Sequence, residues 1–314
     1  MNILITGASG FIGRALTSHL INKNHKLRLL LRNKEIVYDD QVEQYLIDEK
    51  SKFPKELFYG IDVIIHLAGI AHQRESNSKI DKDQYKNFHN SYTKKLIKGA
   101  SESEVSRFIF LSSIGVNGNQ SFKPFTEIDK PNPSNDYAVA KYLSEKLLIR
   151  YCKDSKMNFV IIRPPIVFGI NVPGNFSRIL RWANSAYNIP LPFGSINNKR
   201  SIISISNLID FITLCIFESR AKNEIFLVSD SLGISTTDLL RRVSIAFGRR
   251  PILFNIPESF LYKLLTFFGY KEDANRLLGS LQIDISKASK LLNWKPKYSL
   301  DYELKNISTS YKKL

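Results

Sequence analysis

A tyrosine and a lysine that could exchange protons with a substrate stand four residues apart, at Tyr137 and Lys141. Residues at this spacing share one face of a helix, so the ammonium of the lysine can lie near the phenol. A neighbouring positive charge lowers the pKa of a phenol from about 10 and makes it a proton donor or acceptor at neutral pH. The spacing therefore predicts an acid/base pair on a helix over residues 136–153.

Two serines, Ser112 and Ser113, follow the apolar run that precedes this helix. The run predicts a strand over 107–112, and the carboxyl end of a strand in a parallel sheet lies at the edge where such sheets bind ligands. A hydroxyl there can hydrogen-bond a substrate carbonyl or alkoxide. A Tyr-x-x-x-Lys pattern alone is common, and the serines give it significance.

Three glycines follow the first apolar run, in the sequence TGASGFIG that begins at Thr6. Glycine permits a tight turn and a close approach of the backbone to a pyrophosphate, and a helix that begins there offers N–H groups to an anion. A lone glycine pattern is a weak signal. Its position between a first strand and a first helix favours dinucleotide binding over a turn without a ligand.

The end of the second predicted strand bears on which dinucleotide is bound. An acid there favours NAD, whereas an arginine accommodates the 2′-phosphate of NADP. The strand over 26–31 is followed by Arg32 and Lys34, and no acid precedes Glu35. This pattern favours NADP(H), with NAD(H) as the alternative.

These side chains need a scaffold, and apolar runs alternate with helical patterns through the first half of the chain. Strands are predicted over 2–6, 26–31, 62–67, 107–112 and 159–162, and helices over 15–24, 85–102 and 136–153. Strands with little polar alternation, separated by helices, predict a parallel sheet covered on both faces. We therefore expect an α/β fold with a doubly wound parallel sheet of the Rossmann type.

The rhythm changes after residue 163, where prolines and glycines break the pattern and the elements become shorter. This change predicts a smaller C-terminal α/β lobe that binds the substrate. We expect a dinucleotide-binding domain over 1–163 and the second lobe over 164–314, with the chain able to cross between them.

Composition rules out several classes of protein. The chain has 314 residues, 43% hydrophobic and 24% charged, which is ordinary for a globular protein and excludes a disordered chain or a coiled coil. Its two cysteines, Cys152 and Cys215, predict neither a disulfide framework nor a metal site, and His66 and His72 are interpreted as packed or solvated. With no signal-peptide pattern and no apolar run that would cross about 30 Å of hydrocarbon, we expect a cytoplasmic protein without membrane insertion.

The formal net charge of +16 (45 basic minus 29 acidic residues) favours an anionic partner. Residues 155–209 contain no acid. Their cations are Lys156, Arg163, Arg178, Arg181, Lys199 and Arg200. Clustered cations suit a diphosphate, although Arg178 and Arg181 fit one exposed helix face equally well. No nucleic-acid recognition motif accompanies the charge, so we expect no nucleic-acid partner.

Six motifs, in order, resemble those of the extended short-chain dehydrogenase/reductase family, specifically the NAD-dependent epimerase/dehydratase group that acts on nucleotide sugars. They are TGASGFIG, DVIIHLAG, Asn90-Ser91-Tyr92-Thr93, RFIFLSSIGVNG, YAVAK and IIRPPIVFG. The resemblance runs from Met1 to about Tyr298, and the order of the motifs makes it specific.

The resemblance implies roles for individual residues. It makes Tyr137 the acid/base, Lys141 its partner and ribose ligand, and Ser113 the hydroxyl that orients the sugar oxygen. Asn117 stands where the family usually has an aromatic residue. The residues implied to line the dinucleotide are Gly7, Gly10, Phe11, Ile12, Arg32, Leu67, Ala68, Gly69, Tyr137, Lys141 and Pro164, with Asp48 either the acid that meets adenine or a plain loop residue. The residues implied to bind the nucleotide sugar are Ser113, Asn175, Arg200 and Arg276.

The resemblance also bears on the net reaction. A 4,6-dehydratase would need an Asp-Glu pair directly after a catalytic threonine, whereas Ser113 is followed by Ile-Gly. The runs SSIGVNG, RPPIVFGINVPGNF and PLPFGSINNKRS most resemble the O-antigen branch of the family. That branch includes UDP-glucose 4-epimerase-like proteins and reductases of UDP-4-keto-6-deoxy-N-acetylhexosamines. Together with Arg32, the resemblance favours reduction of the C4 keto group of such a sugar, of the UDP-N-acetylquinovosamine type, in lipopolysaccharide or other surface polysaccharide biosynthesis.

Two alternatives remain. One is a UDP-hexose or UDP-N-acetylhexosamine 4-epimerase, which would keep its cofactor and return the hydride to the other face of the sugar. The other is a regulator that senses a dinucleotide without catalysis, which the intact Tyr137, Lys141 and Ser113 disfavour. Similar enzymes are frequently dimers, so a homodimer is expected.

Overall fold

The computed structural model describes residues 1–23, 25–32, 42–47, 53–69, 88–185, 187 and 189–311. The strands are β1 (Asn2–Thr6), β2 (Lys26–Leu31), β3 (Val42–Leu46), β4 (Val63–His66), β5 (Arg107–Leu111), β6 (Asn158–Arg163), β7 (Ile166–Phe168), β8 (Ile202–Ser204) and β9 (Glu224–Leu227). The helices are α1 (Phe11–Ile21), α2 (Lys94–Ser101), α3 (Asp136–Lys153), α4 (Asn175–Asn184), α5 (Ile205–Phe217), α6 (Thr236–Ala246), α7 (Glu258–Phe267), α8 (Lys271–Leu278), α9 (Ser286–Leu292) and α10 (Leu300–Tyr311). A π-helical turn, Phe88–Thr93, leads into α2.

Seven strands form one sheet in the order β3-β2-β1-β4-β5-β6-β9, and every neighbouring pair is parallel. The strand order reverses between β1 and β4. In doubly wound sheets the crevice at such a reversal, outside the carboxyl ends of the strands, is where ligands bind. The predicted α/β fold with a doubly wound Rossmann-type sheet is confirmed.

The strands are buried on both faces, which explains their nearly continuous apolar sequences. Side chains alternate between two cores: Ile3 and Ile5 of β1 pack on one face with α1 and α5, whereas Leu4 packs on the other face with α2 and α3. The same alternation separates Ile109 from its neighbours in β5. Each face of the sheet is therefore covered by helices, as the pattern predicted.

Five predicted elements have different bounds in the structure. The strand over 62–67 is Val63–His66, and the strand over 107–112 is Arg107–Leu111. The first helix begins at Phe11 rather than residue 15, because its first turn lies inside the glycine motif. The helix expected over 85–102 is a π-helical turn followed by α2, with residues 85–87 outside the described part. The strand over 159–162 extends by one residue at each end, to Asn158 and Arg163.

The segment after residue 163 contributes both to a smaller lobe and to the main sheet. A third core, which includes Phe168, Phe176 and Val243, joins β7, α4 and α6 beside the short parallel pair β7 and β8. The chain then returns, since α5 packs on the main sheet and β9 pairs with β6 as the edge strand.

Arg107, at the start of β5, fastens α5 to the sheet. Its Nη1 donates to the carbonyl oxygens of Cys215, Ile216 and Glu218 at 2.6, 3.1 and 3.0 Å, and its Nε donates to Asn158 Oδ1 at 2.8 Å. These carbonyls lie at the end of α5, where a cation also complements the helix dipole.

We expect Arg107→Met to lower the free energy of unfolding by about 2–3 kcal/mol, because it leaves buried carbonyls without a donor. Urea unfolding would measure the loss. The matched control is Arg220→Met, since Arg220 is an exposed arginine that pairs with Glu218, and it should change stability by less than about 0.5 kcal/mol. Equal effects of the two substitutions would contradict this role for Arg107.

Candidate active site

The glycine turn after β1 packs directly on the backbone that follows β4. Gly7 has a φ of 76°, and a Cβ on it would lie 2.6 Å from the amide nitrogen of Ala68. A Cβ on Gly13 would lie 2.0 Å from the carbonyl oxygen of Gly7. Within the described residues, no side chain caps the start of α1 and no acid stands in its first turn. The turn and the helix N-terminus thus fit the pyrophosphate of a dinucleotide.

The loop after β4 forms a second wall of this crevice. Leu67 N donates to Thr6 O at 3.1 Å, and Ala68 N to Thr6 Oγ1 at 3.4 Å. Gly69 follows, and a Cβ on it would lie 3.4 Å from Lys141 Nζ. The structure therefore brings Leu67 and Ala68 to the glycine turn, and it brings Lys141 to Gly69, the residue that follows them.

Tyr137 and Lys141 lie in the first two turns of α3, which begins at a cap where Ala138 N donates to Asn135 Oδ1 at 2.9 Å. Lys141 Nζ lies 5.9 Å from the ring centroid of Tyr137 and donates to Leu111 O at 2.8 Å. Burial lowers the pKa of Lys141 to about 7, and the charge of Glu145 acts in the opposite direction. The lysine and the phenol are close, as the spacing predicted.

The two serines have different surroundings. Ser112 is buried, and its hydroxyl donates to Glu145 Oε1 at 2.5 Å. Ser113 is half-buried at the start of a short 3-10 turn (Ile114–Val116), where its hydroxyl oxygen accepts from Gly115 N at 3.1 Å. The hydroxyl of Ser112 is thus bound to a buried carboxylate, whereas that of Ser113 lies at the sheet edge.

Arg163, one of the cations of the acid-free stretch, is not available to a diphosphate. Arg163 lies at the end of β6 with its side chain buried, and it forms an ion pair of 2.6 Å with Glu145. The diphosphate role suggested for Arg163 is therefore wrong. Pro164 beside it is buried, and its carbonyl accepts from Ile114 N at 2.9 Å, next to Ser113.

Arg200 and Arg276 lie close together in the smaller lobe. Burial lowers the pKa of Arg200 to about 10, and the positive charge of Arg276 acts in the same direction. Arg200 Nη1 donates to Gly279 O at 3.0 Å, and in the described part of the chain no carboxylate pairs with it. Arg276 is exposed and lies 3.7 Å from Glu272. Two adjacent cations, one without an acid, are suited to a divalent anion.

The remaining predicted residues have the following positions. Asn175 is the first residue of α4 and is exposed, and Arg178 and Arg181 are exposed on the same helix. Phe11 reaches from the glycine turn to the smaller lobe, because a Cβ on Gly169 would lie 3.3 Å from its ring. Ile12 follows it in the first turn of α1.

Arg32 is exposed directly after β2, at the sheet edge where an adenosine ribose was expected. Asp48 lies outside the described residues.

The sequence interpretation missed Glu145, whose carboxylate lies one helical turn beyond Lys141 and contacts Ser112 and Arg163. The signal available was the four-residue step that continues from Tyr137 through Lys141 to Glu145. His66 was interpreted correctly as a packed residue, and His72 lies outside the described residues.

The ring of His66 is buried between two threonines. Its Nδ1 is 2.6 Å from Thr6 Oγ1 and its Nε2 is 3.0 Å from Thr93 Oγ1.

A search of the described residues for membrane-spanning helices found none that is both long and apolar enough to cross a bilayer.

Known proteins are similar to this sequence over nearly its whole length. The chain is 36% identical over 315 residues to UDP-glucose 4-epimerase from Vibrio cholerae, covering 99% of this chain and 95% of that protein. It is 26% identical over 314 residues to dTDP-4-dehydro-6-deoxyglucose reductase from Escherichia coli, covering 95% of this chain and 94% of that protein.

Solved structures share the fold. UDP-N-acetylglucosamine 4-epimerase from Bacillus cereus superposes with a TM-score of 0.80 at 19% identity over 99% of each chain. UDP-glucuronic acid 4-epimerase from Bacillus cereus, in complex with NAD, superposes with a TM-score of 0.78 at 21% identity over 100% of this chain and 97% of that one. A model of the NAD dependent epimerase/dehydratase family matches residues 3–229. The chain therefore belongs to the NAD dependent epimerase/dehydratase family.

Proposed function

We propose that this protein transfers a hydride between a nicotinamide dinucleotide and C4 of a UDP-sugar, with Tyr137 as the acid/base. The observation that carries the proposal is the position of Lys141. Its ammonium lies 5.9 Å from the centre of the Tyr137 ring and within van der Waals reach of the Gly69 position, so one cation serves both the phenol and the dinucleotide crevice.

In the proposed mechanism Tyr137 moves the proton of the C4 oxygen and Ser113 orients that oxygen by a hydrogen bond. The charged form of Lys141, which is the main form below its lowered pKa of about 7, would stabilise the phenolate form of Tyr137. A bound nicotinamide supplies or accepts the hydride. Gly7 and Gly10 let the backbone approach the pyrophosphate, and the N-terminus of α1 binds its charge.

We assign the diphosphate of the sugar nucleotide to Arg200 and Arg276, with Asn175 as a further contact. Their support is that Arg200 is buried without a carboxylate partner among the described residues and lies near the positive charge of Arg276. A diphosphate bound there would relieve the repulsion between the two arginines.

We propose reduction of a UDP-4-keto-6-deoxy-N-acetylhexosamine as the net reaction, in surface polysaccharide biosynthesis. Three features support it: the motifs that resemble the O-antigen branch, Arg32 at the position that accommodates a 2′-phosphate, and the relative that is a dTDP-4-dehydro-6-deoxyglucose reductase. The cofactor is then NADP(H), exchanged at each turnover.

A UDP-hexose or UDP-N-acetylhexosamine 4-epimerase is the second candidate. It is favoured by the 36% identity to UDP-glucose 4-epimerase and by the NAD bound in a structural neighbour. An epimerase keeps NAD(H) bound, because the hydride must return to the same sugar after the 4-keto intermediate has turned.

The two reactions differ in what the pure enzyme does without added cofactor. We expect no UDP-N-acetylgalactosamine from UDP-N-acetylglucosamine alone, and oxidation of NADPH faster than NADH when the 4-keto substrate is supplied. Chromatography of the nucleotide sugars and absorbance of the cofactor measure the two outcomes. Appearance of UDP-N-acetylgalactosamine would contradict the reductase assignment and favour the epimerase.

Tyr137→Phe is the control, and it should lower turnover by about 10²- to 10⁴-fold with dinucleotide binding retained.

Lys141→Met should change stability in a pH-dependent way. The pKa of Lys141 falls from 10.5 to about 7 on folding, so between these pH values the unfolded chain binds more protons and the group's contribution to stability rises with pH. The stability of the variant minus that of the wild type should therefore fall across this window, by at most about 1.4 kcal/mol per pH unit.

Urea unfolding from pH 7 to 10, without added ligand, measures this difference. Lys146→Met is the matched control, because Lys146 is exposed on the same helix. A flat difference for Lys141→Met would show that the lysine stays fully charged in the folded protein.

Arg200→Met should raise KM for the UDP-sugar by about 10- to 100-fold and change kcat much less, because a charge-assisted contact is lost from ground state and transition state alike. Steady-state kinetics measure the split. Arg178→Met, on the exposed side of α4, is the control and should leave KM unchanged. A KM equal to the wild-type value in Arg200→Met would remove Arg200 from the diphosphate site.

A further inference from the structure

A buried carboxylate lies one turn of α3 beyond Lys141. Tyr137, Lys141 and Glu145 recur at every fourth residue and so share one face of the helix. Glu145 is 1% exposed and Lys141 2%. A charge at this depth is stable only if it is paired and hydrogen-bonded, so the partners of Glu145 indicate what it holds.

Both oxygens of Glu145 are occupied. Oε1 accepts from Ser112 Oγ at 2.5 Å and from Arg163 Nε at 2.9 Å, and Oε2 accepts from Arg163 Nη2 at 2.6 Å. A guanidinium and a carboxylate joined by two parallel hydrogen bonds have a fixed mutual orientation. Since the three residues come from α3, the end of β5 and the end of β6, the pair locks these three elements together at the sheet edge.

The residues on either side of Ser113 are both hydrogen-bonded at or next to this ion pair. On its N-terminal side, Ser112 contacts Glu145 through its hydroxyl and donates its backbone N–H to Ile162 O at 2.7 Å. On its C-terminal side, Ile114 N donates to the carbonyl of Pro164 at 2.9 Å, the residue that follows Arg163. The backbone on both sides of Ser113 is therefore held by the end of β6.

Asn117 extends the network into the loop that follows Ser113. Its Oδ1 accepts from Arg163 Nη1 at 2.9 Å, and its Nδ2 donates to Thr126 O at 3.2 Å. The side chain is buried, so the residue that replaces the aromatic usual in similar sequences points into the protein.

We propose that three buried side chains, those of Glu145, Arg163 and Asn117, are positioning residues of the active site. They set the place of the Ser113 hydroxyl relative to the Tyr137 phenol and contact neither substrate nor cofactor. The proposal rests on the proton-transfer roles proposed above for Ser113 and Tyr137. A small misplacement of reacting groups lowers the rate far more than it weakens binding, so their loss should lower kcat with little change in KM.

The main test is the double variant Glu145→Leu with Arg163→Met. Replacing both partners by apolar side chains avoids leaving one charge buried alone, and such replacements are often neutral for stability. We expect a folded protein whose dinucleotide affinity and KM stay within about threefold of wild type, and whose kcat is lower by about 10- to 100-fold. Ser144→Ala is the control, because this buried hydroxyl on the same helix donates to Ala140 O at 2.9 Å, within its own helix, and the kcat of the variant should be unchanged.

Two single variants test the proposal if the double variant does not fold. Ser112→Ala and Asn117→Ala each remove one link and leave the ion pair in place. We expect each to lower kcat by about threefold or more at constant KM. Wild-type kcat in both single variants, or in the folded double variant, would overturn the proposal.

Crystal structures of the wild type and of Asn117→Ala provide a readout that needs no turnover. The distance between Ser113 Oγ and the Tyr137 hydroxyl should change in the variant, and an unchanged distance would count against positioning. Failure of the wild type to turn over any nucleotide sugar would instead count against the proposed function, so the two failures are distinguishable.

Discussion

The rest of the structure depends on the close packing of two backbone segments where the strand order reverses. The turn after β1 and the loop after β4 lie so close that a Cβ atom on Gly7 would be 2.6 Å from the amide nitrogen of Ala68. Gly13 then allows α1 to pack on the same turn. Without these contacts α1 could not lie flat on the sheet with its N-terminus at the crevice, and the proposed pyrophosphate site would lose the helix dipole and its N–H groups.

The charges of the chain divide into two kinds. Arg163 and Arg107 are buried and stabilise the fold through carboxylate and carbonyl partners, whereas Arg200 is buried near the positive charge of Arg276 and, among the described residues, has no carboxylate partner. Local repulsion of this kind costs stability and is expected where a ligand supplies the missing negative charge. A net charge of +16 is therefore a poor guide by itself, and the partners of each arginine distinguish a structural role from the binding role proposed above.

Much of the fold could be predicted because parallel strands buried on both faces are continuous in sequence and separated by amphipathic helices. The pairing of Tyr137 with Lys141 follows from the helical period alone. The sequence analysis missed Glu145, although it continues that four-residue period. A role for this carboxylate becomes visible only in the folded chain, because the pairing of β5 with β6 brings Arg163 beside it. The return of β9 to the main sheet depends on a crossover of about sixty residues, for which a local pattern carries no signal.

The two parts of the proposed site are joined by one segment, residues 279–284. On one side it is hydrogen-bonded to the extended stretch that carries Arg200, since Leu281 N donates to Lys199 O at 2.8 Å. On the other side it is hydrogen-bonded to the loop that follows Ser113, since Phe125 N donates to Gln282 O at 2.8 Å. The same segment supplies the carbonyl of Gly279 that binds Arg200.

A diphosphate bound at Arg200, as proposed, would therefore be linked through hydrogen bonds to the loop that Asn117 contacts, and Asn117 directly follows the turn at Ile114–Val116. Binding energy gained far from C4 can be used in this way to order the reacting groups. These hydrogen bonds would give a physical reason for a nucleotide-sugar site in the smaller lobe, as proposed above, that is linked to the loop after Ser113.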